Sequence, residues 1–349
     1  MKYEKAIDLI GALDEEAMLR CAKRWDSIAK PLHSLGKLED AIIQIAGITG
    51  DTHVELKKKV LVILCADNGV VAEGVTQATS EVTAIVAENF LSLNSCACVM
   101  AKQIGAEVIP IDIGMNRDTK LPKDKKIAYG TKSILQGPAM TRQQALQAIE
   151  VGINTVLELK EQDYNIIATG EMGIGNTTTS SAVASVLLDL PVESVTGKGA
   201  GLSDIGLSKK IDVIKGAIAI NKPDKNDPIE VLTKLGGYDI AGMVGLYLGG
   251  AVAKIPVIVD GFISAVAALL AIRINPKVHD YILASHVSKE KAGRLLLEAI
   301  DKEALLTCDM CLGEGTGAIA LLPLLNMGVA VYNQMSTFEQ IEVEAYQPL

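Results

Sequence analysis

The chain has 349 residues, 49% of them hydrophobic and only 3% aromatic, and 33 Lys and Arg against 42 Asp and Glu give a formal net charge of −9. That length buries a large core and fits one large domain with a smaller second one. The acidic balance offers no source for neutralising a polynucleotide backbone, which excludes nucleic acid as the expected partner.

The opening stretch, MKYEKAIDLIGALDEEAM, mixes both charge signs with apolar residues at helical spacing and has no apolar signal-peptide core. A cytoplasmic location is therefore expected. Helical patterning continues through the first 45 or so residues, with a break near AKPLHSLG. Five short β-branched or apolar runs follow: VLVILCADNG, EVIPIDIG, NIIATGEMG, IPVIVDG and YILASH. Each leads through a polar or glycine break into a longer helical stretch, which predicts βα units around a buried parallel sheet. Polar groups recur at their carboxyl ends: Asp67, Asp112, Glu171, Asp260 and the Ser285/His286 pair. Open α/β sheets bind ligands outside those ends, so these side chains should converge on one rim.

Residues 315–336 carry no formal charge, but Pro323 and Asn326 interrupt them and no aromatic or basic anchors flank them. A buried helix is expected there, and no membrane span. Residues 1–45 and 319–349 are thus expected to form a small helical domain beside a large α/β domain of residues 46–318. Cys96/Cys98 and Cys308/Cys311 could supply a four-thiolate zinc site. The small apolar neighbours of Cys96 and Cys98 favour thiols packed as small hydrophobes. No His, Asp or Glu set has metal-ligand spacing, and no cofactor is expected.

Three glycine turns carry the chemistry. In GEMGIGNTTTSS, residues 170–181, a strand runs into glycines, an acid and hydroxyls before a helix. Two readings fit: an anion site built from backbone N–H groups, or an ordinary turn whose Thr177 to Ser181 cap the helix. Neither a Walker A loop nor the dinucleotide fingerprint is present. The second turn, GKGAGL at 197–202, precedes Lys209 and Lys210, one of which could meet a phosphate. The third, CLGEGTGA at 311–318, sets Glu314 between glycines, either as a turn residue or as a partly desolvated proton acceptor. Asp260 begins DGFISAVAALLA, where capping the following helix is its simplest role. His286, in ASHVS, reads as a structural histidine.

Taken in order, ADNGVVAEGVT, GEMGIGNTTTSSA, GKGAGL, GGYDIAGMVG, IPVIVDGFISAVAALLA, ASHVSKE and LGEGTGAIAL resemble the nicotinate-nucleotide:dimethylbenzimidazole phosphoribosyltransferase family. The resemblance runs from KPLHSLGKLE at 30–39 through residue 325. It implies a Rossmann-like parallel sheet flanked by helices, a small helical domain built from both termini, and a homodimer. It also implies transfer of ribose 5-phosphate from nicotinate mononucleotide to an aromatic base, without a metal. By motif matching, Glu314 is the base, and Glu171 contacts the ribose or stabilises an oxocarbenium-like transition state. Gly173, Ile174, Gly175, Asn176, Thr177 and Thr178 hold the 5′-phosphate, with Lys210 and Asp260 on the same phosphate and ribose side. Thr76, Ala84, Leu312 and Gly313 fall around the acceptor base.

Departures from the family pattern cluster near that acceptor. His33 replaces a glycine in KPLHSLG, Asn68 a histidine, and Cys311 the arginine of an RLGEG pattern; Thr76 stands where many relatives have serine, and Ala84 where some have a glutamine contacting the base. These changes keep open a second activity, that of one subunit of a heterodimer with a paralogous chain that transfers to phenol or p-cresol. A non-catalytic nucleotide-binding partner is a third reading, against which the retained pair of Glu171 and Glu314 counts.

Overall fold

The computed structural model describes residues 1–346, so the last three residues of the expected small helical domain lie outside it. Five strands, β1 (Lys59–Ala66), β2 (Ala106–Gly114), β3 (Ile166–Met172), β4 (Val257–Val259) and β5 (Ile282–Ala284), form one sheet in the order β2-β1-β3-β4-β5. Every neighbouring pair is parallel. These are the five runs legible in the sequence. Their near-continuous apolar character follows from burial on both faces.

Alternation along β1 shows how the two faces divide. Val60, Val62 and Leu64 enter one apolar cluster with Ile149, Val244 and Leu269, while Leu61, Ile63 and Cys65 enter a second with Ile42, Phe90 and Leu322. Helices Arg142–Glu161, Tyr238–Ala253 and Phe262–Ile274 therefore cover the first face. Helices Lys37–Thr49, Glu81–Leu91 and Thr316–Gln334 cover the other. Glycines let the two longest helices of the first face touch: a Cβ at Gly245 would overlap the backbone of Ile149. That close approach explains the glycine repeat that follows GGYD.

The chain ends pack together. Trp25 of helix Glu15–Ser27 lies 5.2 Å, ring centre to ring centre, from Tyr332, and Ile28 bridges Thr337 in antiparallel fashion. Gly328 faces Leu38 and Ile42. Two helical stretches, Glu81–Gln103 and Thr316–Gln334, are long and apolar enough to cross a membrane, but half of the apolar window in the second is buried inside the protein. All six cysteines are free. Cys98 is buried as expected and Cys96 is exposed, because residues two apart on a helix face different ways.

The chain passes from β1 out to β2 and then returns to the other side of β1 as β3. This reversal leaves a crevice at the carboxyl ends of β1 and β3, where Leu64 pairs with Glu171.

Candidate functional site

That crevice opens into a cleft of about 240 Å³. It is lined by Thr76, Glu171, Gly173, Ile174, Gly175, Asn176, Thr177, Lys210, Asp260, Leu312, Gly313 and Glu314, which brings most of the sequence-predicted residues to one surface. Two do not arrive. Ala84 and Thr178 are fully buried and line no part of the cleft: Ala84 packs with Phe90 and Ala87 in the core, and Thr178 points inward from its helix.

β3 ends at Met172, and Gly173 turns the chain so tightly that a Cβ there would stand 2.6 Å from the Ala66 carbonyl oxygen and 2.7 Å from Asp239 Oδ2. Gly175, with φ of 92°, caps the helix Asn176–Leu188, whose N-terminus no side chain caps. The hydroxyls turn backwards instead: Thr179 donates to the Asn176 carbonyl, and Ser181 to those of Thr177 and Val195. The capping role for Thr177 to Ser181 is therefore not realised. What faces the cleft is a glycine turn and a helix N-terminus without a side-chain acceptor, the setting in which an anion is stabilised. Thr83 accepts the Ile174 N–H at 3.1 Å and steadies the turn from the neighbouring helix.

Lys210 reaches this turn from helix Asp204–Asn221. Its Nζ donates to Thr177 Oγ1 at 2.8 Å and to the Gly197 carbonyl at 3.3 Å. Lys210 is only 1% exposed, and among the described residues it has no ion-pair partner. Burial pulls its pKa down to about 8, with the charge of Glu290 opposing the shift. A bound dianion would supply the missing counter-charge.

Glu171 and Asp260 line the next part of the wall, with Asp239 buried behind it. Glu171 Oε2 and Asp239 Oδ2 both accept from the amide nitrogen of Asn176, the latter at 3.0 Å. Burial, followed by the neighbouring Asp239 charge, pushes Glu171 up to about 8. Burial likewise lifts Asp239 to about 6, against its hydrogen bond from Asn176. Asp260 is also pushed up to about 6 by burial, opposed by backbone N–H groups of Ala318, Gly317, Gly315 and Gly261. The expected cap on its own helix is not made: Gly261 is the N-cap of Phe262–Ile274 with no side-chain bond, and the Asp260 carboxylate serves the start of helix Thr316–Gln334 instead.

Glu314 enters from the turn before that helix. It has φ of 59° between Gly313 at 93° and Gly315 at 85°, a left-handed run in which a non-glycine residue is strained. Half-buried, its carboxylate accepts the Ala97 N–H at 3.4 Å and a hydrogen bond from Ser95. Burial raises its pKa, and those two donors restrain the rise. A partly desolvated carboxylate facing a cleft is suited to accept a proton.

His286, Ser288 and Glu290 also line the cleft. Asp239 is fully buried behind this wall and supports it through Asn176, a role the sequence marked only by an acid two residues after the Gly236–Gly237 pair. Among the described residues no group of three His, Cys, Asp or Glu side chains is arranged to hold a metal ion.

A model of a phosphoribosyltransferase family matches residues 10–343. A relative from Ruminiclostridium cellulolyticum named nicotinate-nucleotide–dimethylbenzimidazole phosphoribosyltransferase is 48% identical, with both chains covered in full. A protein of the same name from Clostridium acetobutylicum is 47% identical over the same shares. The crystal structure of CobT from Thermus thermophilus superposes with a TM-score of 0.89 at 35% identity, covering 95% of this chain and 100% of that one.

Proposed function

This chain belongs to the nicotinate-nucleotide–dimethylbenzimidazole phosphoribosyltransferase family, and on that premise we propose how its cleft performs the reaction. The enzyme moves ribose 5-phosphate from nicotinate mononucleotide to an aromatic base, giving an α-ribazole-type 5′-phosphate and nicotinate for cobamide lower-ligand synthesis. The observation that carries the reading is that Glu314, the glycine turn at 173–177 and Lys210 share one cleft.

The 5′-phosphate sits on the glycine turn and the N-terminus of helix Asn176–Leu188, with Lys210 and Thr177 as its side-chain donors. The C1′–N bond of the nucleotide breaks with its electron pair passing to the pyridinium nitrogen. Nicotinate then leaves without needing a proton. The acceptor's unprotonated ring nitrogen attacks C1′ from the opposite face, which inverts β to α. Its second ring nitrogen must shed a proton, and Glu314 receives it. Glu171 faces the ribose. Burial pushes its carboxyl up to about 8, and the cationic donor and oxocarbenium-like ribose favour its ionised form.

Around the acceptor, Thr76, Leu312 and Gly313 remain the pocket residues. The phenolic alternative drew on a missing polar contact at Ala84; that side chain is fully buried, so nothing specific favours a phenol. A homodimer is supported by exposed apolar side chains at Ile85, Leu91 and Val99. A reducing, cytoplasmic setting is supported by the six free thiols.

The test is incubation of the purified chain alone with nicotinate mononucleotide and, separately, 5,6-dimethylbenzimidazole, benzimidazole, adenine and phenol. Chromatography should show an azole nucleotide and matching nicotinate. Product from phenol alone, or none until a paralogous chain is added, would move the protein to the two-chain activity.

A further inference from the structure

Asp260 directly follows β4 at the edge of the cleft and is only 5% exposed. Its Oδ1 accepts the N–H of Ala318 at 3.0 Å, a bond spanning 58 positions of sequence. The N–H groups of Gly317, Gly315 and Gly261 are also directed at the carboxylate. An ionised carboxylate offers about four acceptor sites. The bond to Ala318 and the neighbouring backbone donors thus turn this carboxylate toward the start of the helix Thr316–Gln334.

Three of those donors belong to the residues immediately after Glu314. They form the first turn of the helix Thr316–Gln334, whose N-terminus a carboxylate stabilises. Asp260 is itself fixed from behind. Its own N–H donates to Ser264 Oγ at 3.0 Å, and that hydroxyl is tied to Thr169 at 2.7 Å and Tyr247 at 2.6 Å. All three hydroxyl partners are buried, so the network anchors Asp260 to β3 and to two helices. The first turn of the helix has no slack on the other side either. A Cβ at Gly317 would overlap the His286 ring and stand 2.9 Å from Asp260 Oδ1.

We propose that Asp260 is a positioning residue that latches the start of helix Thr316–Gln334 to the sheet and so holds the strained Glu314 turn in its working place. It acts through Glu314 and makes no essential contact with the nucleotide. The inference rests on the reading of Glu314 as the base.

The test compares wild type, Asp260→Asn, Glu314→Ala and the double variant, measuring nicotinate mononucleotide affinity by calorimetry and turnover with 5,6-dimethylbenzimidazole. Asparagine keeps one acceptor oxygen but places an NH2 against the remaining backbone donors. Turnover of Asp260→Asn should fall about tenfold or more while nucleotide affinity stays within about twofold, and the substitution should cost little further in the Glu314→Ala background. Affinity falling in step with turnover makes Asp260 a nucleotide ligand and overturns the latch. Losses that multiply in the double variant overturn it too. Full turnover in Glu314→Ala would instead remove the premise, a result separable from the other two. Gly317→Ala loosens the same latch from the helix side and should reproduce the turnover loss with affinity kept; normal turnover there also contradicts the proposal.

Discussion

Glu314 rests on Gly170: a Cβ at residue 170 would stand 2.8 Å from the Glu314 carbonyl oxygen and 3.0 Å from its carbonyl carbon. The glycine in β3 is what lets the turn carrying the base lie directly on the strand that carries Glu171. One residue earlier, a Cβ at Gly313 would come within 2.8 Å of Glu171 Oε1. Two acids far apart in sequence thus reach one cleft because two glycines leave room between their backbones.

Gly170→Ala should therefore lift the 313–315 turn off the sheet. Overpacking of this kind costs about 1–3 kcal/mol, and turnover should fall about tenfold or more because the base is displaced. Denaturant melts and steady-state assays check both. A variant with normal turnover would show that the turn is not held by this contact.

The left-handed backbone at Glu314 predicts a conflict between stability and activity. Glu314→Gly and Glu314→Ala both remove the carboxylate, but only glycine relieves the strained φ, by about 1 kcal/mol. The glycine variant should be the more stable of the two, with both nearly inactive. Equal melting midpoints would mean that the turn stores no strain.

Lys210 is expected to act on binding. Lys210→Met removes the buried ammonium and keeps much of the aliphatic bulk. Losing a charged hydrogen bond to the phosphate should weaken nicotinate mononucleotide binding by about 1.5–3 kcal/mol, with a smaller change in turnover at saturation. Titration calorimetry decides it; unchanged affinity would place the phosphate elsewhere.

Stability measured without added nucleotide should carry the mark of Glu171. Burial lifts its folded pKa to about 8, above the 4.5 of an unburied glutamate, so its contribution is present in full below 4.5 and is lost as pH rises through about 8. Lys210, pulled down to about 8 from 10.5, works the other way and only above that window, adding stability as pH rises from about 8. Glu171→Gln should flatten the decline measured by urea melts between pH 5 and pH 8. Parallel declines in variant and wild type would contradict the assignment.

Much of this was legible in the sequence because a buried parallel strand writes its pattern locally: each of the five strands is a short apolar run ending in a polar residue. The glycine turns at 173–175 and 313–315 were readable for the same reason. Ala84 was misplaced because helical spacing does not reveal which side of a helix faces a cleft, and Thr178 because a run of hydroxyls does not show which point inward. The union of Asp239 with Asn176, and of Asp260 with Ala318, was hidden in tertiary pairing. Neither motif names its partner.

The most direct measurement of the central claim follows nicotinate release and azole nucleotide formation by the lone chain, wild type beside Glu314→Gln, with nicotinate mononucleotide and 5,6-dimethylbenzimidazole. The wild type should turn over, and the variant should lose about 10²–10⁴-fold in rate while binding the nucleotide as before. Full turnover by Glu314→Gln would contradict the account of proton transfer in this cleft.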